Sequence, residues 1–152
     1  MSLQDGAKKM SKSDPSEISR INLTDSTDEI SKKIKKAKTD SQSIIAYDET
    51  RKEIYNLLNI FARFTKKNPQ EIALEYENLG YGKFKNDLTE VLISKLAPIS
   101  SEIKKLLNDQ NFLNQILEKS LDQGREYADE IAKKTCDEVY KIVGLRVEKD
   151  KK

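Results

Sequence analysis

At Ser26 the chain stops being punctuated and becomes helix-forming, and that change decides what the rest can fold into. Ser26-Thr27-Asp28-Glu29 is a capping box, in which the serine hydroxyl and the glutamate carboxylate satisfy each other's orphan amides. From Ile30 onward apolar residues recur at three- and four-residue spacing almost to the end of the chain. Ahead of it, Met1 to Thr24 has no helical period: Asp5-Gly6, Asp14-Pro15 and several serines break it, and Ile18, Ile21 and Leu23 form its one apolar cluster. The expected fold class is therefore an all-α helical bundle, residues 26–152, behind an irregular head, residues 1–25.

Within the bundle, a first helix from Ser26 carries one narrow apolar stripe of Ile30, Ile34 and Ala37. Lys32, Lys33, Lys35, Lys36 and Lys38 cover the rest, which makes it a surface helix with solvated lysines. A loop through Thr39-Asp40-Ser41 precedes a second helix from about Glu49 to Thr65, whose Ile54, Leu57, Leu58, Phe61 and Ala62 belong in the core. Asn68-Pro69 supplies an N-cap and an N1 proline for a short third helix, and Gly80 a stop. A fourth helix is expected after Tyr81-Gly82, bent or broken at Pro98, whose ring crowds the carbonyl of Ser94. From Asn111 to Val143 the pattern predicts two successive helices. Gly124, Ala128 and Ala132 give them a face that can approach a neighbour closely, and Gly144 lies at the C′ stop. Arg146 to Lys152 is a charged tail expected to fray.

Composition narrows the chemistry. Histidine is absent, which removes the commonest general base and metal ligand, and with them a triad hydrolase or zinc-histidine site within this chain. Basic and acidic residues nearly cancel, 28 against 26, so the surface is mixed rather than one strong field. With 36% apolar residues, no run approaches the roughly 20 needed to cross a bilayer, so no membrane partner is expected. The lone Cys136 forms no internal disulfide, which points to a reducing compartment, the cytoplasm; on its expected helix it reads as a small buried hydrophobe.

One segment suggests work beyond packing. Lys8-Lys9-Met10-Ser11-Lys12-Ser13 gathers three ammonium groups, two hydroxyls and backbone amides in a non-helical loop, good partners for a polyanion such as a triphosphate. Composition alone leaves open the alternative of a solvated basic head with no ligand.

The order of these residues decides between the two. Lys9-Met10-Ser11-Lys12-Ser13 is the KMSKS signature of class I aminoacyl-tRNA synthetases. Together with Asp14-Pro15, Lys32-Lys33-Ile34-Lys35-Lys36-Ala37, Thr39-Asp40-Ser41, Asn56-Leu57-Leu58-Asn59-Ile60, Gly80-Tyr81-Gly82-Lys83-Phe84-Lys85 and Val143-Gly144-Leu145, it makes nearly the whole chain resemble the tryptophanyl branch of that family. The family's Rossmann domain, with its histidine-bearing HIGH element, lies upstream of the signature. The resemblance therefore implies a C-terminal part, in which Met1 is an internal residue: the signature loop of a truncated α/β catalytic domain over residues 1–25, then an α-helical anticodon-binding domain.

That resemblance implies an activity. Tryptophan is activated with ATP and transferred to its tRNA. By that resemblance Lys9 and Lys12 would act catalytically on the leaving pyrophosphate, and Lys9, Met10, Ser11, Lys12 and Ser13 would contact ATP. Magnesium travels on the phosphates, with no metal held by the protein. Asp5-Gly6 and Asp14-Pro15 offer pivots for a moving loop. The family is homodimeric through the upstream domain, and this chain alone is expected to be inactive. For RNA, the candidates are Tyr81, Lys83 and Lys85 at a helix start, and the lysine face from Lys32 to Lys38; neighbouring Phe84 reads as core. A second reading is a free-standing helical RNA-binding or interaction module without catalysis.

Overall fold

The computed structural model describes residues 1–145, and the charged tail from Arg146 lies outside the described residues. These residues are helical with no strand: a 3-10 turn at Glu17–Ser19, then α1 (Thr27–Lys36), α2 (Lys52–Thr65), α3 (Pro69–Tyr76), α4 (Gly80–Asn108) and α5 (Gln110–Ile142). The chain divides into two compact units, Met1–Lys105 and Leu106–Lys152. The head is hydrogen-bonded into the first unit.

Local chemistry starts each helix. The capping box forms as the sequence predicts: Ser26 Oγ accepts from the Glu29 amide at 3.3 Å, and the Glu29 carboxylate accepts from the Ser26 amide at 2.7 Å. Helix α2 begins at Lys52 rather than Glu49, since Asp48 first organises a turn by accepting from the Thr50 amide and hydroxyl, both at 2.8 Å. It ends at Lys66, left-handed at φ 59°. Asn68 caps α3 through the Gln70 amide at 2.9 Å, with Pro69 at N1. Gly80, at φ 75°, turns the chain directly into α4, three residues earlier than expected.

The core of the first unit joins Ile30, Ile34 and Ala37 of the first helical stretch to Ile54, Leu57, Leu58 and Phe61 of α2, Ile72 of α3, and Phe84, Leu88 and Leu92 of α4. Phe61, Tyr76 and Phe84 form a triangle of rings with centroids 5.4–5.8 Å apart. Each such fully buried side chain contributes about 1.5–3 kcal/mol. The expected core role of Phe84 holds, at 0% exposure.

Three expectations are corrected and a fourth is narrowed. Of the bend or break expected at Pro98, the break is absent: α4 runs unbroken from Gly80 to Asn108. The proline removes one bond to the Ser94 carbonyl, but Leu88, Leu92 and Leu96 already fix the preceding turns in the core. The break falls at Asp109 instead, whose carboxylate caps α5 through the Phe112 amide at 2.9 Å. Two closing helices are in fact one, α5, 33 residues long, because Gly124 costs only about 1 kcal/mol in a helix interior and nothing else interrupts it. Its stop is as expected: Gly144 at φ 74° lets the Leu145 amide reach the Tyr140 carbonyl at 2.9 Å, a Schellman closure.

The other two corrections concern burial. No residue of α5 is buried, so Cys136 is exposed, and nothing lies within 4 Å of a Cβ built at Gly124. Lys33, expected in solvent, is buried and donates to Asp25 at 2.6 Å. That pair locks the end of the head onto α1.

Candidate functional site

The signature loop rises from a neck that is thoroughly bonded. Leu3, absent from the expected apolar cluster, is its buried anchor at 2% exposure. The Leu3 amide donates to the Ser19 carbonyl, and the Lys38 amide donates to the Leu3 carbonyl, both at 2.8 Å. The Ser2 amide closes the loop by donating to the Lys8 carbonyl at 2.8 Å. On α2, the Asn56 carboxamide donates to the Ser2 carbonyl at 3.1 Å and to the Met1 carbonyl at 3.3 Å.

Gly6 presses on the start of the same helix: a Cβ there would collide with the Lys52 carbonyl. Its φ is not positive. Glycine is required by close approach rather than by unusual dihedrals, and Gly6 is a seat, not the free pivot the sequence suggested. On the far side, Arg20 donates to the Asp14 carbonyl at 2.8 Å, pairs with Glu17 and reaches Asn22 Oδ1 at 3.3 Å. Asp14-Pro15 is thereby held as a strut.

The tip is different. Lys9, Ser11, Lys12 and Ser13 are exposed, while Met10 packs part of its thioether against the core. Lys9 and Lys12 have no carboxylate partner among the described residues. Lys8 reaches Asp5 only at 3.8 Å, and both side chains of that pair are solvated. The Ser11 and Ser13 hydroxyls bond each other at 2.8 Å, and Ser11 Oγ also accepts from the Ser13 amide at 3.3 Å. Two unpaired ammonium groups and two hydroxyls thus share one short turn, a donor set that suits phosphate oxygens. No carboxylate is among them, so these residues fit a phosphate chain and not a bare cation. Behind the tip, Met10, Ser11 and Lys12 face Arg20, Ile21 and Asn22 across an open cleft of about 480 Å³.

The RNA candidates are placed as follows. Tyr81 donates its hydroxyl to Asp40 at 2.7 Å and accepts from Arg51 at 2.9 Å; burial first, then the Asp40 bond, pushes its phenol up to about 12. Arg51 also grips Asp40 with two bonds of 2.8 Å, and this guanidinium holds the carboxyl below its usual range. Lys85 donates to the Ala37 carbonyl at 2.7 Å and the Lys35 carbonyl at 3.2 Å, completing the end of α1, and desolvation lowers its pKa. Lys83 is exposed and paired with Asp87 at 2.7 Å, which raises its pKa. Lys32, Lys35 and Lys36 remain exposed on α1, around a shallow cleft with Asp28 and Ser31.

Sequence reasoning missed Asn56, Arg20 and the Asp40–Arg51–Tyr81 cluster as supports. Asn56 was visible only as an asparagine on the buried face of α2, a polar residue where the helical period calls for an apolar one. Among the described residues, no helix is long and apolar enough to cross a membrane.

The family model for tRNA synthetases class I (W and Y) matches residues 1–97. The tryptophan-tRNA ligase of Rickettsia prowazekii is 49% identical over 146 residues, covering 95% of this chain and 43% of that protein. The tryptophan-tRNA ligase of Agrobacterium fabrum is 45% identical over 148 residues, 95% of this chain and 41% of its own length. Among solved structures, the tryptophanyl-tRNA synthetase of Mycoplasma pneumoniae aligns with TM-score 0.60 and 29% identity over 99% of this chain and 46% of its own. This chain spans less than half the length of the relatives it matches. With the signature loop and the helices that seat it both inside the matched residues, the chain belongs to the class I tRNA synthetases of the tryptophan and tyrosine type.

Proposed function

We propose that this chain is the C-terminal portion of a tryptophan-tRNA ligase, an enzyme that activates tryptophan with ATP and transfers it to tRNA in the cytoplasm. The observation that carries the reading is the tip: Lys9 and Lys12 stand exposed and unpaired on a loop whose neck is fixed, in a chain about half identical to tryptophan-tRNA ligases.

In activation the tryptophan carboxylate attacks the α-phosphate of ATP, and negative charge builds on the departing pyrophosphate. Lys9 and Lys12 meet that charge, Ser11 and Ser13 exchange their mutual bond for bonds to phosphate oxygens, and the Met10 side chain keeps the turn seated. The effect on rate comes from contacts that are stronger in the transition state than in the ground state. Magnesium, bound to the phosphates, screens the same charge. Residues 1–25 belong with the catalytic domain and 26–152 form the anticodon-binding domain. Here the exposed lysines Lys32, Lys35 and Lys36 are placed to meet RNA phosphates, Lys83 would do so by giving up its bond to Asp87, and Tyr81 and Lys85 shape the surface beneath them. The parent acts as a homodimer, and this chain by itself does not activate tryptophan.

The test is ATP–pyrophosphate exchange by the intact enzyme that carries this chain. Exchange driven by tryptophan and not by tyrosine supports the reading. Exchange driven by tyrosine, or none with either amino acid, overturns it and favours a helical binding module that keeps the signature by descent.

A further inference from the structure

Within the tip only Met10 packs against the core, and Lys9 and Lys12 have no carboxylate partner among the described residues, so where their ammonium groups point depends on how the neck beneath is held. We propose that Asn56 on α2 is a positioning residue for the signature loop, acting through the Met1–Ser2 peptide on the peptide that joins Lys8 to Lys9. This rests on the proposed ligase reading and goes beyond it, because Asn56 lies outside the signature, 43 positions after its last residue, on a helix of the RNA-binding portion.

Three observations carry it. First, the Asn56 side chain is buried, with the residue 6% exposed, on a helix face otherwise made of Ile54, Leu57, Leu58 and Phe61. A buried carboxamide is costly unless its hydrogen bonds are made, and here they are made to the loop's stalk rather than to its own helix. Second, the bonds run in series through one peptide group. Asn56 Nδ2 donates to the Met1 carbonyl at 3.3 Å; the amide of that same peptide, on Ser2, donates to the Lys8 carbonyl at 2.8 Å. The Lys8 carbonyl shares its peptide plane with the Lys9 amide, so the orientation of the first signature lysine follows from the carboxamide two bonds away, and polarisation along such a chain strengthens each bond in it. Third, the other side of the neck rests on the same helix: Gly6 sits against Lys52 and Glu53, with room for no Cβ. Both supports of the loop come from the first two turns of α2, and the Arg51–Asp40 pair at the start of that helix fixes the turn they use.

The test compares intact enzyme bearing Asn56→Ala with wild type in two measurements, the first at steady state and the second in a single turnover. One is adenylate formation, read as tryptophan-dependent ATP–pyrophosphate exchange; the other is transfer of tryptophan from preformed adenylate to tRNA, a step in which pyrophosphate has already left. The proposal expects kcat for exchange to fall on the order of ten- to a hundredfold, the scale for a misplaced reacting group. It expects KM for tryptophan and the transfer rate to stay within about twofold, since neither uses the loop. Asn56→Gln, which keeps the amide donor, recovers most of the rate. Should Asn56→Ala not fold, Asn56→Asp, which keeps the shape and loses the donor, carries the same comparison. Equal loss in exchange and transfer, or wild-type exchange, overturns the positioning role. A wild-type enzyme without tryptophan-dependent exchange would instead defeat the ligase reading itself.

Discussion

The tip and the neck of the signature loop are a few residues apart in sequence and opposite in physics. The neck is held by polar groups that face protein partners: Ser2 on Lys8, Leu3 on Ser19 and Lys38, Asn56 on the stalk, Arg20 on Asp14. At the tip, Lys9 and Lys12 face none. Folding stability therefore resides in the neck and chemistry in the tip. A charged group held out of partnership contributes nothing to the fold but remains free for a ligand, while a rigid base spares that ligand the cost of ordering the whole loop. Substitutions should split along the same line, with the neck read in stability and the tip in rate.

The largest stability effect belongs to the end of the neck. Asp25→Ala strands the Lys33 ammonium among buried groups and should cost about 3–5 kcal/mol in urea unfolding; a loss under 1 kcal/mol would show that the head is not locked to α1. Next comes Gly6→Ala, expected to cost about 1–3 kcal/mol because a methyl group meets the Lys52 carbonyl and α2 must shift to admit it.

A smaller effect is one of pH. Asp40 has its folded pKa lowered by the Arg51 bonds, so the stability it contributes is present above the unfolded carboxyl value near 3.9 and is lost as pH falls through the lower folded value. Unfolding midpoints measured from pH 6 to pH 2 should fall less steeply for Asp40→Asn than for wild type. Some slope remains, because Asp48 and Asp87 are lowered in the same direction, by the Thr50 amide and by Lys83. Smallest of all, Lys12→Ala should leave stability within about 0.5 kcal/mol of wild type. A larger loss would mean that the tip is part of the fold and would erase the contrast.

What could be read from the sequence was what acts over three or four residues. The Ser26–Glu29 box, the Asn68-Pro69 start and the Gly144 stop form as their residue types dictate, because donor and acceptor lie within one turn. The signature was legible as a motif because its five residues are consecutive. What was illegible joins distant residues. Lys33 looked solvated because its partner lies eight positions back, outside its own helix. Tyr81 looked like an RNA-facing aromatic until Asp40, 41 positions earlier, took its hydroxyl. Asn56 and Ser2 are 54 apart, and no local rule pairs them. The break at Pro98 and the division of α5 failed for another reason: a local penalty of about 3 kcal/mol for proline or about 1 kcal/mol for glycine does not by itself end a helix whose flanking turns are well formed.

The contrast between tip and neck is tested most directly by Lys9→Ala in the intact enzyme, with exchange rate and thermal unfolding measured on the same preparation. The account predicts exchange slowed about a hundredfold or more, the scale for removing one preorganised donor from a developing charge, at an unchanged melting temperature. Exchange at the wild-type rate would contradict it, as would a rate lost only in step with the fold.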